Sequence, residues 1–222
     1  MASKKGGEKM YHKPYYLSNQ DETKAYIRIL HASPNAPAVD IYANNDLIAE
    51  NLKYGEFTDY ISVMTGRYNI KVYPANKKQD PIIDTSLNVI SNTITTVAVI
   101  GEFPNISLLP IEDPRIPIRP NRAYIRVVHL SPNAPNINVS QENDMLLFKS
   151  VAYKEATDYL SLRPVTYNFK VKPIGSNKTI LYVPNAKLTR DRFYTLYIIG
   201  LVGDTPPLQM LIPLDGNSYL NF

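Results

Sequence analysis

Apolar and polar residues alternate with a period of two through most of this chain. In the run from Arg67 to Pro74, Tyr68, Ile70 and Val72 fall on one face while Arg67, Asn69, Lys71 and Tyr73 fall on the other, the arrangement of a strand with one buried side. The run from Thr166 repeats it, with Tyr167, Phe169 and Val171 opposed to Asn168, Lys170 and Lys172. Similar stretches over residues 26–32, 38–43, 58–63, 82–90, 94–101 and 106–111 are separated by Pro, Asn or Gly, which predicts short sandwich strands rather than helices. Helical periodicity is nearly absent.

The pattern occurs twice. AYIRILHASPNAP beginning at Ala25 returns as AYIRVVHLSPNAP beginning at Ala123, and Thr58-Asp59-Tyr60 returns as Thr157-Asp158-Tyr159. Apolar runs ending at Gly101 and Gly200 also correspond, and the copies close at Asp113 and Asp215. Matched alternation implies matched inward faces. The expected fold is therefore all-β: two tandem immunoglobulin-like, Greek-key β-sandwich domains related by internal duplication, with a small barrel as the alternative. The boundaries read as an N-terminal arm over 1–23, a first repeat over 24–113, a Pro-rich linker over 114–121 and a second repeat with a short tail over 122–222. Pro114, Pro117 and Pro120 favour an extended linker path. Ile116 and Ile118 leave open whether that linker spaces two beads or packs against one of them.

Composition narrows the chemistry. There is no Cys and only three His among 222 residues, so disulfides, thiolate nucleophiles and Cys-based metal sites are excluded, and no cofactor is expected. Twenty-four Lys and Arg against twenty Asp and Glu leave a formal charge of +4, too little to suggest a specific nucleic-acid reader. No stretch reaches membrane-spanning length without charge, and the first residues lack a secretory apolar region. The chain reads as made in the cytoplasm; deposition on a spore surface from the mother cell needs no secretory signal either.

The stretch YIRILHASPNAPAVDIY resembles the signature R-x-x-H-x-S-P-D-A-P-x-V-D-V-Y of a bacterial family, the domain of unknown function four-three-nine-seven, over about residues 24–113 and 122–215. The resemblance implies paired β-sandwich modules on bacterial surfaces and brings no reaction with it. The second copy departs from it by placing Asn138 where the first has Asp40. In physical terms the motif is a strand entering a stiff turn. His31, Ser33, Pro34, Asn35 and Pro37, with His129, Ser131, Pro132, Asn133 and Pro135, are expected to act structurally, the imidazoles pointing inward and hydrogen-bonded to turn groups. Catalysis by Ser33 or Ser131 with its neighbouring His is disfavoured by the two-residue spacing. No metal site is expected, because no second His or Cys accompanies either imidazole.

Tyr26, Tyr42, Tyr60, Tyr73, Tyr124 and Tyr159 are expected to be cross-strand packing residues, with a sugar-binding face as the alternative. Asp59 and Asp158 are expected to cap turns rather than bind calcium. In the arm, Tyr11, Tyr15, Tyr16 and Leu17 are candidates for adding a strand to a neighbour, with Pro14 restricting them to an edge. Together these readings point to a non-enzymatic structural or assembly protein of a bacterial surface layer, spore coat or spore-surface fibre. It would associate with itself and with other envelope or coat proteins through sandwich edges and the arm. The alternative is a surface module that binds a glycan or peptide.

Overall fold

The structure, a computed structural model, describes residues 24–220; the arm residues Tyr11, Tyr15, Tyr16 and Leu17 lie outside them. Residues 24–112 hold β1 (Lys24–His31), β2 (Val39–Ala43), β3 (Asp46–Leu52), β4 (Ile61–Met64), β5 (Gly66–Pro74), β6 (Ile83–Val89), β7 (Ile94–Glu102) and β8 (Asn105–Glu112). The second copy follows with β9 (Ala123–His129), β10 (Ile137–Gln141), β11 (Leu146–Val151), β12 (Leu160–Leu162), β13 (Thr166–Pro173), β14 (Leu181–Lys187), β15 (Arg192–Ile199) and β16 (Gln209–Leu211).

Each copy folds as a β-sandwich, and the chain is two such sandwiches in tandem. The first pairs sheet β4-β1-β7-β8 with sheet β3-β2-β5-β6, and the second pairs β12-β9-β15-β16 with β11-β10-β13-β14. Lettered A to H, the order is DAGH over CBEF; of the neighbours in the immunoglobulin order ABED over CFG, B with E recurs, whereas A here lies between D and G and C joins the sheet of B. A Greek-key sandwich implies antiparallel neighbours, and the structure departs from this at one place in each copy: β1 runs parallel to β7, and β9 to β15. The chain between each such pair builds the opposite sheet before returning, which gives the long crossover that parallel neighbours require.

Strand β3 escapes the period-two pattern for a local reason. Its pairing with β2 shifts register twice, and Asn51 within it has φ of 48°, so a bulge interrupts the alternation. Asp40 holds that bulge, its two carboxylate oxygens accepting the backbone N–H groups of Asn51 (2.7 Å) and Asn76 (2.9 Å). In the second copy Asn138 Oδ1 accepts the Ser150 N–H at 2.8 Å, and Ser150 also has positive φ. An amide oxygen therefore replaces the carboxylate at this corner.

Each sandwich has its own apolar core, around Ile41, Ile70 and Val72 in the first copy and around Phe148, Phe169 and Val171 in the second. A third core joins them. Leu30, Ala98 and Ile100 on the outward faces of β1 and β7 pack with Val128, Leu130, Tyr197 and Ile199 of the second copy. The four sheets thus form a stack whose two middle layers are buried on both sides. This explains why the runs ending at Gly101 and Gly200 are apolar at nearly every position instead of alternating. The linker is drawn onto the stack: Tyr124 Oη accepts the Arg119 N–H, and Asn217 Nδ2 donates to the Pro114 carbonyl. Ile118 stays exposed.

The middle layers should make the two copies unfold together. Urea unfolding followed by far-ultraviolet and tyrosine signals is expected to show one coincident transition. Leu30→Ala, at a fully buried position, should lower stability by about 2–5 kcal/mol without separating that transition into two.

Candidate functional site

The repeated turn makes the same histidine and serine hydrogen bonds in both copies. His31 sits at the end of β1 and is fully buried. Its Nε2 lies 3.0 Å from the Pro37 carbonyl, and its Nδ1 is approached by the Ser33 backbone N–H at 3.4 Å. Since a carbonyl only accepts and an amide only donates, the imidazole is the neutral tautomer with its proton on Nε2. His129 repeats this with Pro135 and Ser131 at 3.2 and 3.3 Å. Burial lowers both imidazole pKa values below the ordinary value.

The serine hydroxyls turn away from these rings. Ser33 Oγ donates to the Gly101 carbonyl, and Ser131 Oγ to the Gly200 carbonyl, each at 2.6 Å. Each turn is thereby tied to the hairpin that closes its middle-layer sheet. Gly101 and Gly200 are required there: φ is 92° and 88°, and a Cβ would lie 2.4 and 2.2 Å from carbonyl oxygens across the hairpin. No serine–imidazole pair with attacking geometry forms, because Nδ1 is taken by the backbone amide. Pro34 is buried and Pro37 exposed in the first turn. Asn35 supplies its left-handed residue, φ 61°. Asn133, by contrast, binds Val202 through both its amide atoms.

The most highly charged buried site lies between the copies. Arg28 Nε donates to Thr96 Oγ1 within the first copy, while its other nitrogens reach the Leu214 carbonyl (2.8 Å) and Asp215 (3.3 Å) of the second. Arg126 mirrors it, with Nε on Thr195 and its other nitrogens on the Glu112 carbonyl and Asp113 of the first copy. Tyr60 and Tyr159 donate to Asp113 and Asp215 respectively, both at 2.6 Å, and their rings lie against the Arg28 and Arg126 guanidinium groups. Each copy thus binds its own closing carboxylate through a tyrosine and the other copy's through an arginine. The contact is isologous, as in a two-fold dimer, although it forms within one chain. Burial, and then the nearby Asp113 carboxylate, push Asp215 up to about 6. Gly216 N–H also donates to Asp113, which fastens the end of the second copy onto the first.

These charged residues were not among the sequence candidates. Arg28 and Arg126 open the repeated signature, and Asp113 and Asp215 end the copies; shared position in both repeats was the available signal. Of the six tyrosines weighed as one sugar-binding face, Tyr60 and Tyr159 belong to this buried cluster, and Tyr124 is buried against Phe193. Tyr42 and Tyr73 form an edge-to-face ring pair with each other, at 5.7 Å. Asp59 and Asp158 are exposed, and the turn caps are Glu56 and Glu155, whose carboxylates accept the Lys53 and Ala152 N–H groups; the Thr58 and Thr157 hydroxyls accept the Ile29 and Val127 N–H groups of the neighbouring strands. Among the described residues no cluster of three or more His, Asp or Glu is placed to hold a metal ion, and no helix is long and apolar enough to cross a membrane.

Two stacked sandwiches locked by exchanged Arg–Asp pairs define a paired β-sandwich module. A family described as a domain of unknown function, DUF4397, matches residues 25–140, and the chain belongs to this family. The match contains both signature turns. No curated protein matches the chain in sequence. Among solved structures it is similar to the Bacillus anthracis TIE protein (10% identity, TM-score 0.26, covering 81% of this chain and 34% of that one). It is also similar to the family CBM26 module of Eubacterium rectale Amy13K, solved in complex with maltoheptaose (10% identity, TM-score 0.28, 87% and 99%). The chain spans about a third of the TIE protein's length.

Removing one member of a buried pair strands the other. Asp113→Ala is expected to cost about 3–5 kcal/mol, whereas the double change Asp113→Leu with Arg126→Met should recover most of that loss in a denaturant titration. The histidines have a separate signature. Unfolded imidazoles take up protons near pH 6.5 and the folded ones only at lower pH, so stability should fall as pH drops from 7 to 6. Asp215, held up at about 6 in the folded protein, takes up its proton as pH falls through that value and so adds stability on acidification, opposing the two histidines in this window. Nitrogen-15 spectra should show both rings protonated on Nε2 and taking up their second proton at lower pH than the imidazoles of the unfolded chain.

Proposed function

We propose that this protein is a non-enzymatic structural module that assembles by adding a strand to the open edge of its first sandwich. The observation that carries this reading is a difference between two equivalent edges. Strand β6 is the outer strand of its sheet and pairs with β5 in unbroken register from Gly66↔Val89 to Val72↔Ile83. Its counterpart β14 contains Pro184 and a register shift, with Asn185 at φ 59°, devices that blunt an edge against further pairing. The first copy has neither device on β6. Beside β6 an open hollow of about 590 Å³, lined by residues 82–88, 106–108 and Pro110, runs toward β8. A strand laid along β6 would gain main-chain hydrogen bonds and place alternate side chains in this hollow.

The donor in this reading is the arm of a second copy, with Tyr11, Tyr15, Tyr16 and Leu17 as its anchoring side chains. Surface layers, spore coats and spore-surface fibres are the settings in which such polymerisation would serve. The non-enzymatic part is supported by the internal pairing of the charged and signature groups: His31, Ser33, Arg28, Arg126, Asp113 and Asp215 all bond within the stack. A glycan is the second reading, favoured by the hollow that Tyr42, Asn45, Lys71, Tyr73 and Lys78 form on the first outer sheet; a glycan array with Tyr42→Ala and Tyr73→Ala controls tests it.

Sedimentation velocity over a wide concentration range tests the assembly reading. Intact protein is expected to associate, while Ser86→Pro, Ser86→Lys and a chain lacking residues 1–23 stay monomeric with unchanged melting. An intact chain that is monomeric at every concentration overturns the reading, as does association that survives all three changes.

A further inference from the structure

The first sandwich contains a cavity that the assembly reading does not use. It measures about 230 Å³ and lies between the two sheets, walled by Ile29, Ile41, Ile70, Leu87 and Val97. Its mouth opens beside the turn joining β2 and β3, where Asn44 and Asp46 are exposed, and beside Ile61 on the edge strand β4. In the second sandwich the counterparts of these walls differ in both directions: Val127, Val139 and Ala186 are smaller than Ile29, Ile41 and Leu87, while Phe169 and Leu196 are larger than Ile70 and Val97. Matching strand registers set Ala49 against Phe148, since Ile41 pairs with Ala49 as Val139 pairs with Phe148. Likewise Ile41 pairs with Val72 as Val139 pairs with Val171, which aligns Ile70 with Phe169 and, on the neighbouring sheet, Val97 with Leu196. Phe148 and Phe169 are both core residues of the second copy.

We infer that this cavity is a binding site for a small, neutral, apolar molecule, of the size of a medium-chain alcohol or an alkyl-substituted benzene. An interior space lined by aliphatic groups gives water too few hydrogen-bond partners, and an apolar cavity of about 150 Å³ already accepts benzene. The larger space here suits a longer occupant. The walls carry no Lys, Arg or His, and Asp46 sits at the mouth, so a carboxylate-bearing chain meets a like charge with no cation to receive it. The site therefore selects uncharged ligands over fatty acids. The lining residues Ile27, Ile29 and Val97 alternate along their strands with Arg28 and Thr96 of the buried cluster, so the cavity lies on the opposite face of that sheet from the interface between the copies.

The full-length protein is titrated with 1-octanol, butylbenzene and octanoate, following isoleucine methyl resonances by NMR. Octanol and butylbenzene are expected to shift the Ile29, Ile41 and Ile70 methyls saturably and to raise the melting temperature. The variant Ile70→Phe with Val97→Leu, which copies the second repeat, should weaken both by about tenfold or more while melting no lower than the parent. Val97→Leu alone, the smaller change, should give an intermediate loss and guards against misfolding of the double variant. Absence of saturable shifts with either neutral probe overturns the site, as does undiminished binding by the folded double variant. Octanoate binding as tightly as octanol overturns the assigned ligand class.

Discussion

The exchange of arginine and aspartate between the two repeats is the constraint around which the rest is arranged. Arg28 and Arg126 are nearly fully buried, and a guanidinium in that position is tolerated only when its hydrogen-bonding fork is filled. Threonine, backbone carbonyl and the opposite copy's carboxylate fill it in each case. None of these partners stands alone: Asp113 and Asp215 are also held by Tyr60 and Tyr159. Buried charges contribute less to net stability than to uniqueness, because any other docking of the two sheets leaves them unpaired. The surrounding apolar contacts among Leu30, Ile100, Leu130 and Tyr197 supply the driving force, and the charges select the register.

The signature turns serve the same arrangement at one remove. His31 and Ser33 link the end of β1 to Pro37 and to the β7–β8 hairpin at Gly101, and the second copy does so through His129, Ser131 and Gly200. Strands β1 and β7 are thus clamped at their common end, and they carry Arg28 and Thr96 on adjacent positions of the interface. The repeated motif and the buried cluster are parts of one framework that aligns the middle layers.

Much of the architecture was legible in the sequence. Period-two alternation in the run from Arg67 and its copy from Thr166 is a direct consequence of one buried face, and the duplicated signature implied duplicated sandwiches. The stacking was harder to see. Ile27, Ile29 and His31 form one alternation face, which leaves Arg28 on the face that a single sandwich would turn to solvent, where an arginine needs no explanation. Its partner lies 187 positions away along the chain, beyond any local pattern. Strand β3 was hidden by its bulge, since Asn51 breaks the alternation on which recognition depends. The tyrosines were read as one set because composition does not distinguish Tyr60, which serves a buried carboxylate, from Tyr42, which lies on an outer sheet.

The isologous contact has a further consequence because it is made inside one polypeptide. Two separate subunits joined in this way would dissociate on dilution, whereas a tether of about ten residues holds the halves at an effective concentration that dilution does not change. Identical subunits must also carry every alteration twice, once in each half. A fused pair is released from that symmetry, so Ile70 can border a hollow where the other core carries Phe169, and an open edge at β6 can coexist with a blunted one at β14. The molecule keeps the mutual recognition of a dimer while its two ends are free to differ in what they touch.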